Sequence, residues 1–598
     1  MPVWNRADIV KKSIESVLAQ TLKDYELLII DDGSEDNLEE IVHPYLSENI
    51  IYHKIPHSGA SRARNFGIQH AKRAFIAYLD SDNIWHPDFL SRMYDALNNA
   101  TVKKEAAYCI CNVYKKDQAN GTIYLAHTEG GEFSFKRLLL RNYIDLNTLV
   151  HSKKCVEHVG LFDERLKRLI DWDFILRIGS KYKPIFVPHI LVDYYLGIAE
   201  NVITLKEKVE MSANIIGEKN EKYKKPVSIC HDAITYTWED LSDEKYDNWV
   251  RINNKELDTT DFTAWGFPYM LRIEPTNRCN LACPLCPVGT NELGREPRHM
   301  GIQEFKSIID DMEAYLLFLV LWDWGEPFMN PEFPSMIKYA SEKGIKTVTS
   351  TNAHFLHNKA YVEEILKSGL SSLIVTVDCL NEEHYTAYRK RGNLGKVISG
   401  LENVLNLKKQ LGSKTLINMR MVIMKYNERE LGDMKRLARK LKVDKFTVKT
   451  VNPSCGANSM DKDIIPNNPK YRRYIYKKGT YERVRLNAIC RRVWQMSNIF
   501  SNGAVVPCCY DYKAEQKVGN IREEPFTKIW NSPAYRELRK KIYYQKDAIP
   551  KCKECTINFK LAGDNWFREA HDYNTSINTR LINKIKRYAK LVAAKGRA

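Results

Sequence analysis

Three cysteines within eight residues, Cys279-Asn280-Leu281-Ala282-Cys283-Pro284-Leu285-Cys286, constrain this chain more than any other stretch. Their spacing is C-x3-C-x2-C. An extended apolar run, Tyr269 to Ile273, precedes them, and Pro275-Thr276-Asn277 supplies a turn. The cysteines are therefore expected on a loop at the end of a strand. Three thiolates on one short loop can hold three irons of a 4Fe–4S cluster and leave the fourth iron open for a substrate or cofactor. A structural zinc knuckle is the plainer alternative. Zinc prefers four closed ligands, usually as two separated C-x2-C pairs, and a lone triplet fits that poorly.

Composition narrows the setting. At 598 residues the chain is too long for one core, and roughly three or four domains are expected. Fourteen cysteines in a chain of this length are no secreted disulfide framework; their clustering points to metal in a reducing, cytoplasmic compartment. No apolar run is long enough for a transmembrane helix and no secretory signal is visible. The net charge of +17 allows anionic partners, nucleotides or phospholipid headgroups. No nucleic-acid-reading motif is present, so no nucleic-acid partner is expected.

The first 230 residues alternate helical and strand patterns. Ile9, Val10, Ile14, Val17 and Leu18 recur at helical spacing, and the strand Tyr25 to Ile30 ends in Asp31-Asp32-Gly33-Ser34. A helix opens near Gly59-Ala60-Ser61-Arg62-Ala63-Arg64-Asn65, and the strand Phe75 to Leu79 runs into Asp80-Ser81-Asp82-Asn83. This alternation predicts a mainly parallel sheet with a site at the carboxyl ends of its strands. Asp80 and Asp82 form a D-x-D pair able to direct oxygens at one hard cation. In this order, P-V-W-N, D-D-G-S, G-x3-A-R-N and L-D-S-D-N resemble the family 2 glycosyltransferases of the GT-A, Rossmann-like fold. The resemblance implies that Asp31 and Asp32, with Arg64, hold a nucleotide, and that Asp80 and Asp82 hold Mg²⁺ or Mn²⁺ on a sugar diphosphate. Gly160 to Glu164 and Asp171-Trp172-Asp173 also match. They imply that Asp171 is the general base that takes the acceptor hydroxyl's proton; the plainer alternative is a helix cap. Ile170 stands where the family has an acidic residue, and Met1 where its first strand should finish, so that strand is expected to be missing.

Residues 231–264 carry many charges and few apolar repeats and read as a linker. From 265 to 480 apolar strands recur, at Leu316 to Leu321, Lys346 to Ser350, Leu373 to Asp378, Leu416 to Met424 and Lys445 to Lys449, with helical patterns between them. The repeat predicts parallel strands in a barrel or partial barrel, with the site at their carboxyl ends. The cysteine triplet after R-I-E-P-T-N-R resembles the signature of the radical S-adenosylmethionine (SAM) enzymes, with Leu285 where the family often has an aromatic residue. The resemblance implies a six-unit partial (β/α) barrel, a 4Fe–4S cluster on Cys279, Cys283 and Cys286, and SAM chelated by the open iron and cleaved to a 5′-deoxyadenosyl radical. Trp324-Gly325-Glu326-Pro327 resembles the family's G-G-E-P, which implies that Glu326 meets the SAM ammonium, a favourable charge pairing. Thr351 and Asn352, with Thr376 and Asp378, match positions that contact the SAM carboxylate or ribose; Arg389 and Arg391 are further candidates for the carboxylate.

A second cysteine group spans 481–565: Cys490, then Gly503 to Cys508 with Cys509 beside it, then Cys552-Lys553-Glu554-Cys555. It resembles the SPASM extension of radical SAM enzymes. This implies one auxiliary 4Fe–4S cluster on Cys490, Cys508, Cys552 and Cys555, with Cys509 as a substitute ligand; four-cysteine zinc is the alternative. Asp511 is a candidate base. Cys109, Cys111, Cys155, Cys230, Cys379 and Cys455 are scattered and read as core or incidental. In the tail, 566–598, Ile577, Leu581, Ile585, Tyr588 and Val592 share one helical face flanked by Lys584, Lys586, Arg587 and Lys590, as in a helix lying on an anionic membrane; a solvated helix docked on the protein is the alternative.

These readings add up to an α/β multidomain enzyme: a glycosyltransferase using a nucleotide sugar and a glycan or lipid-linked acceptor, joined to a radical enzyme served by a ferredoxin- or flavodoxin-type electron donor. Surface polysaccharide or glycolipid synthesis, with peripheral contact at the inner membrane face, would give both halves one purpose. The rivals are a peptide maturase with a degenerate transferase and a non-catalytic zinc-stabilised scaffold.

Overall fold

The computed structural model describes residues 1–98, 105–117, 120–196, 209–225, 227–228, 235–254, 257–453, 462–486, 488–562 and 567–573. The tail helix expected over 577–592, together with Cys230 and Cys455, lies outside the described residues. The chain forms two compact units, Met1–Pro226 with Thr237–Asp258, and Val227–Tyr236 with Thr259–Ala598.

In the first unit, Leu27–Asp31 is buried along its whole length, as a parallel strand covered on both faces must be. Ile50–Lys54 pairs with it in parallel on one side. On the other side Pro2–Val3 pairs in parallel, with Pro2 opposite Ile30 and Val3 opposite Asp31. The first strand is thus present in two residues rather than missing. The Met1 amine donates to the Leu28 carbonyl at 2.9 Å, and burial pushes its pKa down to about 5. Beside it an apolar cavity of about 510 Å³ opens among Leu27, Leu28, Ile76, Leu90 and Met93.

The rest of this unit departs from the parallel expectation. A second sheet runs Phe75–Ala77, Leu149–Ser152, Ala106–Lys116, Ile185–Leu196 and Ile84–Trp85 in order across its width. Only the pairing of Ala106–Lys116 with Ile185–Leu196 is parallel. The strand–helix alternation stops after the helix Phe89–Asn98, and Ala106–Lys116 turns back directly into Ile123–Glu129. A short connection can join only antiparallel strands. The stretch read as a linker contains the helix Asp243–Ile252, which buries Tyr246 and Val250 and accepts the Phe135 amide on Asp247 at 2.8 Å. Its charged face masked a four-residue apolar spacing.

The second unit is a ten-stranded sheet. Six parallel strands form its centre: Met270–Ile273, Phe318–Val320, Lys346–Thr351, Ser372–Thr376, Leu416–Ile423 and Lys445–Thr450. Helices such as Ile302–Met312 and Lys359–Lys367 connect them. This is the half-barrel the strand–helix repeat predicts. A seventh strand, Ser497–Ile499, pairs in parallel with Met270–Ile273 and hairpins into Ala504–Val506, so the residues carrying the second cysteine group continue the same sheet.

Candidate functional sites

In the first unit the acidic motifs meet at the carboxyl ends of the strands. Asp31 and Asp32 are deeply buried, and their oxygens are engaged within the protein. Asp31 accepts the Ser34 amide at 2.7 Å and the Tyr52 hydroxyl at 2.5 Å. Asp32 accepts the Ser58 and Gly59 amides, each at 2.8 Å, and so ties its strand to the entry of the helix Ala60–His70. Gly33 follows them at φ +75°, and a side chain there would collide with the His57 amide. Both carboxylates shape the loop.

Each carboxylate of the D-x-D pair has an arginine partner. Arg64 donates to Asp80 at 2.6 Å and Arg6 to Asp82 at 3.0 Å. Asn147 donates to Asp80 at 3.2 Å and accepts its amide at 2.6 Å. Burial pushes Asp80 up, but Arg64 more than reverses it and holds the carboxyl below its ordinary pKa. Burial and the neighbouring Asp80 push Asp82 up. Asp171 lies in the first turn of the helix Ile170–Gly179, whose N-cap is Leu169 in the left-handed region. It is therefore not the cap. Its carboxylate accepts Asn142 at 2.7 Å, and burial raises its pKa. Asn65 joins the motifs, donating to the Phe162 carbonyl at 3.1 Å and to Glu164 at 3.0 Å.

Sequence reasoning missed three members of this site. Arg6 directly follows the P-V-W-N element, a position that could have drawn attention. Asn147 and Asp145 carried no motif. Asp145 is bound through Asn147, and burial raises its pKa to about 7.

In the second unit the strand-end residues form one connected network. Asn352 joins it in three ways: its amide donates to Glu326 at 2.7 Å, its side chain to Asn280 at 2.8 Å, and the same group approaches the Cys279 sulfur at 3.9 Å. Thr376 donates to the Thr351 carbonyl at 2.7 Å. Asp378 accepts the Val422 amide at 2.8 Å and Arg389 at 2.7 Å, and Arg389 also reaches the Cys283 sulfur at 3.6 Å. Arg391 is exposed and is not part of the network. Gly325, at φ +131°, lets the Glu326 loop lie against Thr276, whose carbonyl a Cβ would meet at 2.3 Å. Burial raises Glu326 to about 7. Leu285 packs with Met424, Val451 and Ile464.

The thiols suit a metal cluster. Cys279, Cys283 and Cys286 act on one another electrostatically, and burial raises Cys279 to about 12 and Cys286 above its ordinary value. Without metal such thiols keep their protons; a cluster replaces them. Cys490, Cys508, Cys552 and Cys555 form a second mutual set. Cys509 lies within electrostatic reach of Cys508 and Cys555 as well as of Arg272, Asp323 and Arg492. Asp511 accepts the Glu515 and Gln516 amides at 2.9 and 2.8 Å and holds a turn. Among the described residues no three His, Cys, Asp or Glu side chains converge as ligands of a single ion, and no helix is long and apolar enough to cross a membrane.

Fold and motif order match two classes of enzyme, the glycosyltransferases in the first unit and the SAM-dependent radical enzymes in the second. Residues 1–157 match the glycosyl transferase family 2, residues 273–438 the radical SAM superfamily, and residues 490–556 the SPASM iron–sulfur cluster-binding domain. The chain is a family 2 glycosyltransferase domain fused to a radical SAM enzyme of the SPASM type, a class that implies 4Fe–4S clusters and SAM. An uncharacterized glycosyltransferase of Rickettsia typhi is 29% identical over 191 residues, 30% of this chain and 59% of that protein. The tungsten-containing aldehyde ferredoxin oxidoreductase cofactor-modifying protein of Pyrococcus furiosus is 25% identical over 320 residues, 48% of this chain and 87% of that protein. The structure of Streptococcus suis SuiB bound to S-adenosylmethionine is 19% identical, covering 49% of this chain and 72% of that one, with a TM-score of 0.37.

Proposed function

We propose that the chain transfers a sugar from a nucleotide donor and, in its second unit, abstracts hydrogen from an unreactive C–H of a substrate in the same glycan or glycolipid pathway. The carrying observation is the network joining Cys279, Asn280, Glu326 and Asn352. A cluster and SAM, when bound, supply the electron and the abstracting group. Cys279, Cys283 and Cys286 would hold the cluster. Glu326 would take the SAM ammonium, and doing so requires that the carboxyl give up its proton. Asn352, Thr376 and Asp378 would orient the carboxylate and ribose, and Arg389, donating to Asp378 at 2.7 Å, would keep it aimed.

In the first unit Asp171, raised by burial, would accept the proton of the acceptor hydroxyl, and Asn142 would hold it in place. Asp80 and Asp82 would hold Mg²⁺ or Mn²⁺. Arg6 and Arg64, now on those carboxylates, have the charge to take phosphate oxygens instead. Asp31 and Asp32 would act by shaping the nucleotide loop. The Rickettsia and Pyrococcus names, a glycosyltransferase and a cofactor-modifying protein, support one activity in each half. A reducing, cytoplasmic setting suits the thiols.

The test is anaerobic purification, an iron and sulfide count, and an assay for 5′-deoxyadenosine with a strong reductant. About eight irons per chain are expected from two clusters. Zinc in place of iron, with no SAM cleavage, would overturn the radical half. Absence of transfer or hydrolysis with any nucleotide sugar would overturn the other.

A further inference from the structure

We infer that Asp145 accepts a hydroxyl of the transferred sugar and so selects the donor by its sugar. The inference deepens the transferase half of the proposed function and rests on it.

Residues 142–147 join the two ends of the first unit's site. At one end the Asn142 side chain donates to Asp171 at 2.7 Å. At the other the Asn147 side chain donates to Asp80 at 3.2 Å and accepts the Asp80 amide at 2.6 Å. The two asparagines are close enough along the chain that their Cα atoms stand at most about 18 Å apart. With Asp80 holding a cation on the sugar diphosphate and Asp171 taking the acceptor's proton, the sugar lies between these two carboxylates. Its anomeric carbon is bonded to the diphosphate on one side and must be met by the acceptor oxygen on the other. The segment that ties Asp171 to Asp80 therefore flanks the sugar ring.

Burial shows which side chain of the segment is left to face it. Tyr143, Ile144 and Leu146 are buried, and the Tyr143 hydroxyl accepts the Ser134 amide at 2.8 Å. These three belong to the core. Asp145 is only half-buried. It caps the short turn Leu146–Thr148, accepting the Asn147 amide at 2.8 Å and the Asn147 side chain at 2.7 Å. Both bonds land on Oδ1. Among the described residues Oδ2 accepts none, and it is not sealed from solvent. Asn147 is itself held in place: it is buried, and its carbonyl accepts the Trp85 indole N–H at 2.9 Å. One oxygen of Asp145 is thus locked, and the other is presented from a fixed position.

A carboxylate oxygen held in this way suits a hydroxyl, which brings a donor. A hydrogen bond to a charged acceptor is also stronger than one between neutral groups. A site built to bond a hydroxyl rejects the analogue that lacks it, because the protein group is then left unpaired. Asp145 reaches Asp80 only through Asn147, so its effect should fall on the sugar. A role in holding the cation would fall on the diphosphate instead.

The test is isothermal titration calorimetry of the full chain with Mn²⁺. The probes are UDP, GDP, UDP-glucose, UDP-galactose, UDP-N-acetylglucosamine and GDP-mannose, followed by the monodeoxy forms of whichever sugar nucleotide binds most tightly. One deoxy form is expected to bind the parent protein at least tenfold more weakly. Asp145→Asn keeps an acceptor for the Asn147 donors and replaces Oδ2 with a donor. It should weaken the preferred sugar nucleotide tenfold or more, leave the matching nucleoside diphosphate within twofold, and no longer distinguish that sugar from the critical deoxy form. Asp145→Ser, which can also cap a turn, should behave alike; circular dichroism checks that both variants are folded. An equal loss of diphosphate and sugar-nucleotide affinity would overturn the inference. So would unchanged sugar-nucleotide affinity in both variants, or a loss that simply adds to that of every deoxy form. Binding with unaltered sugar selectivity in the variants sinks this inference alone. If no nucleotide or sugar nucleotide binds at all, the transferase reading falls with it.

Discussion

The two units bury the same kind of group, potential metal ligands at strand ends, but they balance it in opposite ways. In the first unit the carboxylates are partners of built-in cations, Asp80 with Arg64 and Asp82 with Arg6. In the second unit the ligands are thiols whose pKa values burial drives up. The first site is a complete polar network into which a ligand must exchange. The second is assembled from groups that stay neutral until metal takes their protons. Loss of metal should therefore leave the first unit standing and cost the second its activity and much of its order.

The largest expected effect tests that contrast directly. Cys283→Ala should remove about four irons per chain and all measurable 5′-deoxyadenosine, while sugar transfer stays within twofold of the parent protein. An equal fall in both activities would erase the distinction between the units. Asp171→Asn should do the reverse, lowering sugar transfer by roughly 10²–10⁴-fold with SAM cleavage untouched. Because burial raises the Asp171 pKa, transfer by the parent protein should fall as pH drops through that raised value, read as kcat from pH 5 to 9.

A smaller effect concerns Glu326, whose carboxyl burial raises to about 7. SAM binding needs the ionised form, so affinity should weaken by up to about tenfold per pH unit below 7. Equilibrium dialysis at pH 6 and 8 reads this, and Glu326→Gln should flatten the profile. The same shift has a stability consequence. The folded state holds the Glu326 proton more tightly than the unfolded chain, so the metal-free second unit should lose stability as pH rises from about 4.5 to 7, seen as a falling Tm; Glu274, also raised to about 7, acts in the same direction. The smallest effect lies outside both sites. Ser532 caps the helix Pro533–Gln545 through the Tyr535 amide, and Ser532→Ala should cost about 1 kcal/mol with both activities unchanged.

Much of the second unit was legible because its evidence is local. The cysteine spacing lies within eight residues, and each strand–helix repeat announces itself by its own period. The first unit was legible in its motifs and less so in its sheet. Apolar strands look alike whether they pair in parallel or antiparallel, so the reversal at Ala106–Lys116 left no mark. The helix Asp243–Ile252 was hidden by its exposed charges, and Pro2–Val3 is too short to register as a strand. Asp511 looked like a candidate base in the chain, yet its oxygens are held by two backbone amides, a fact no spacing could reveal.

By itself the sequence determined the two chemistries, because ligand spacing and strand-end motifs are properties of short segments. Tertiary structure alone decided how the charges are shared: that Arg6 and Arg64 pair with the D-x-D carboxylates, and that Asn352 links Glu326 to Cys279. These pairs are separated by 16 to 76 positions in the chain. Only the closing of a sheet, driven by burial of its apolar face, brings such groups within reach of one another.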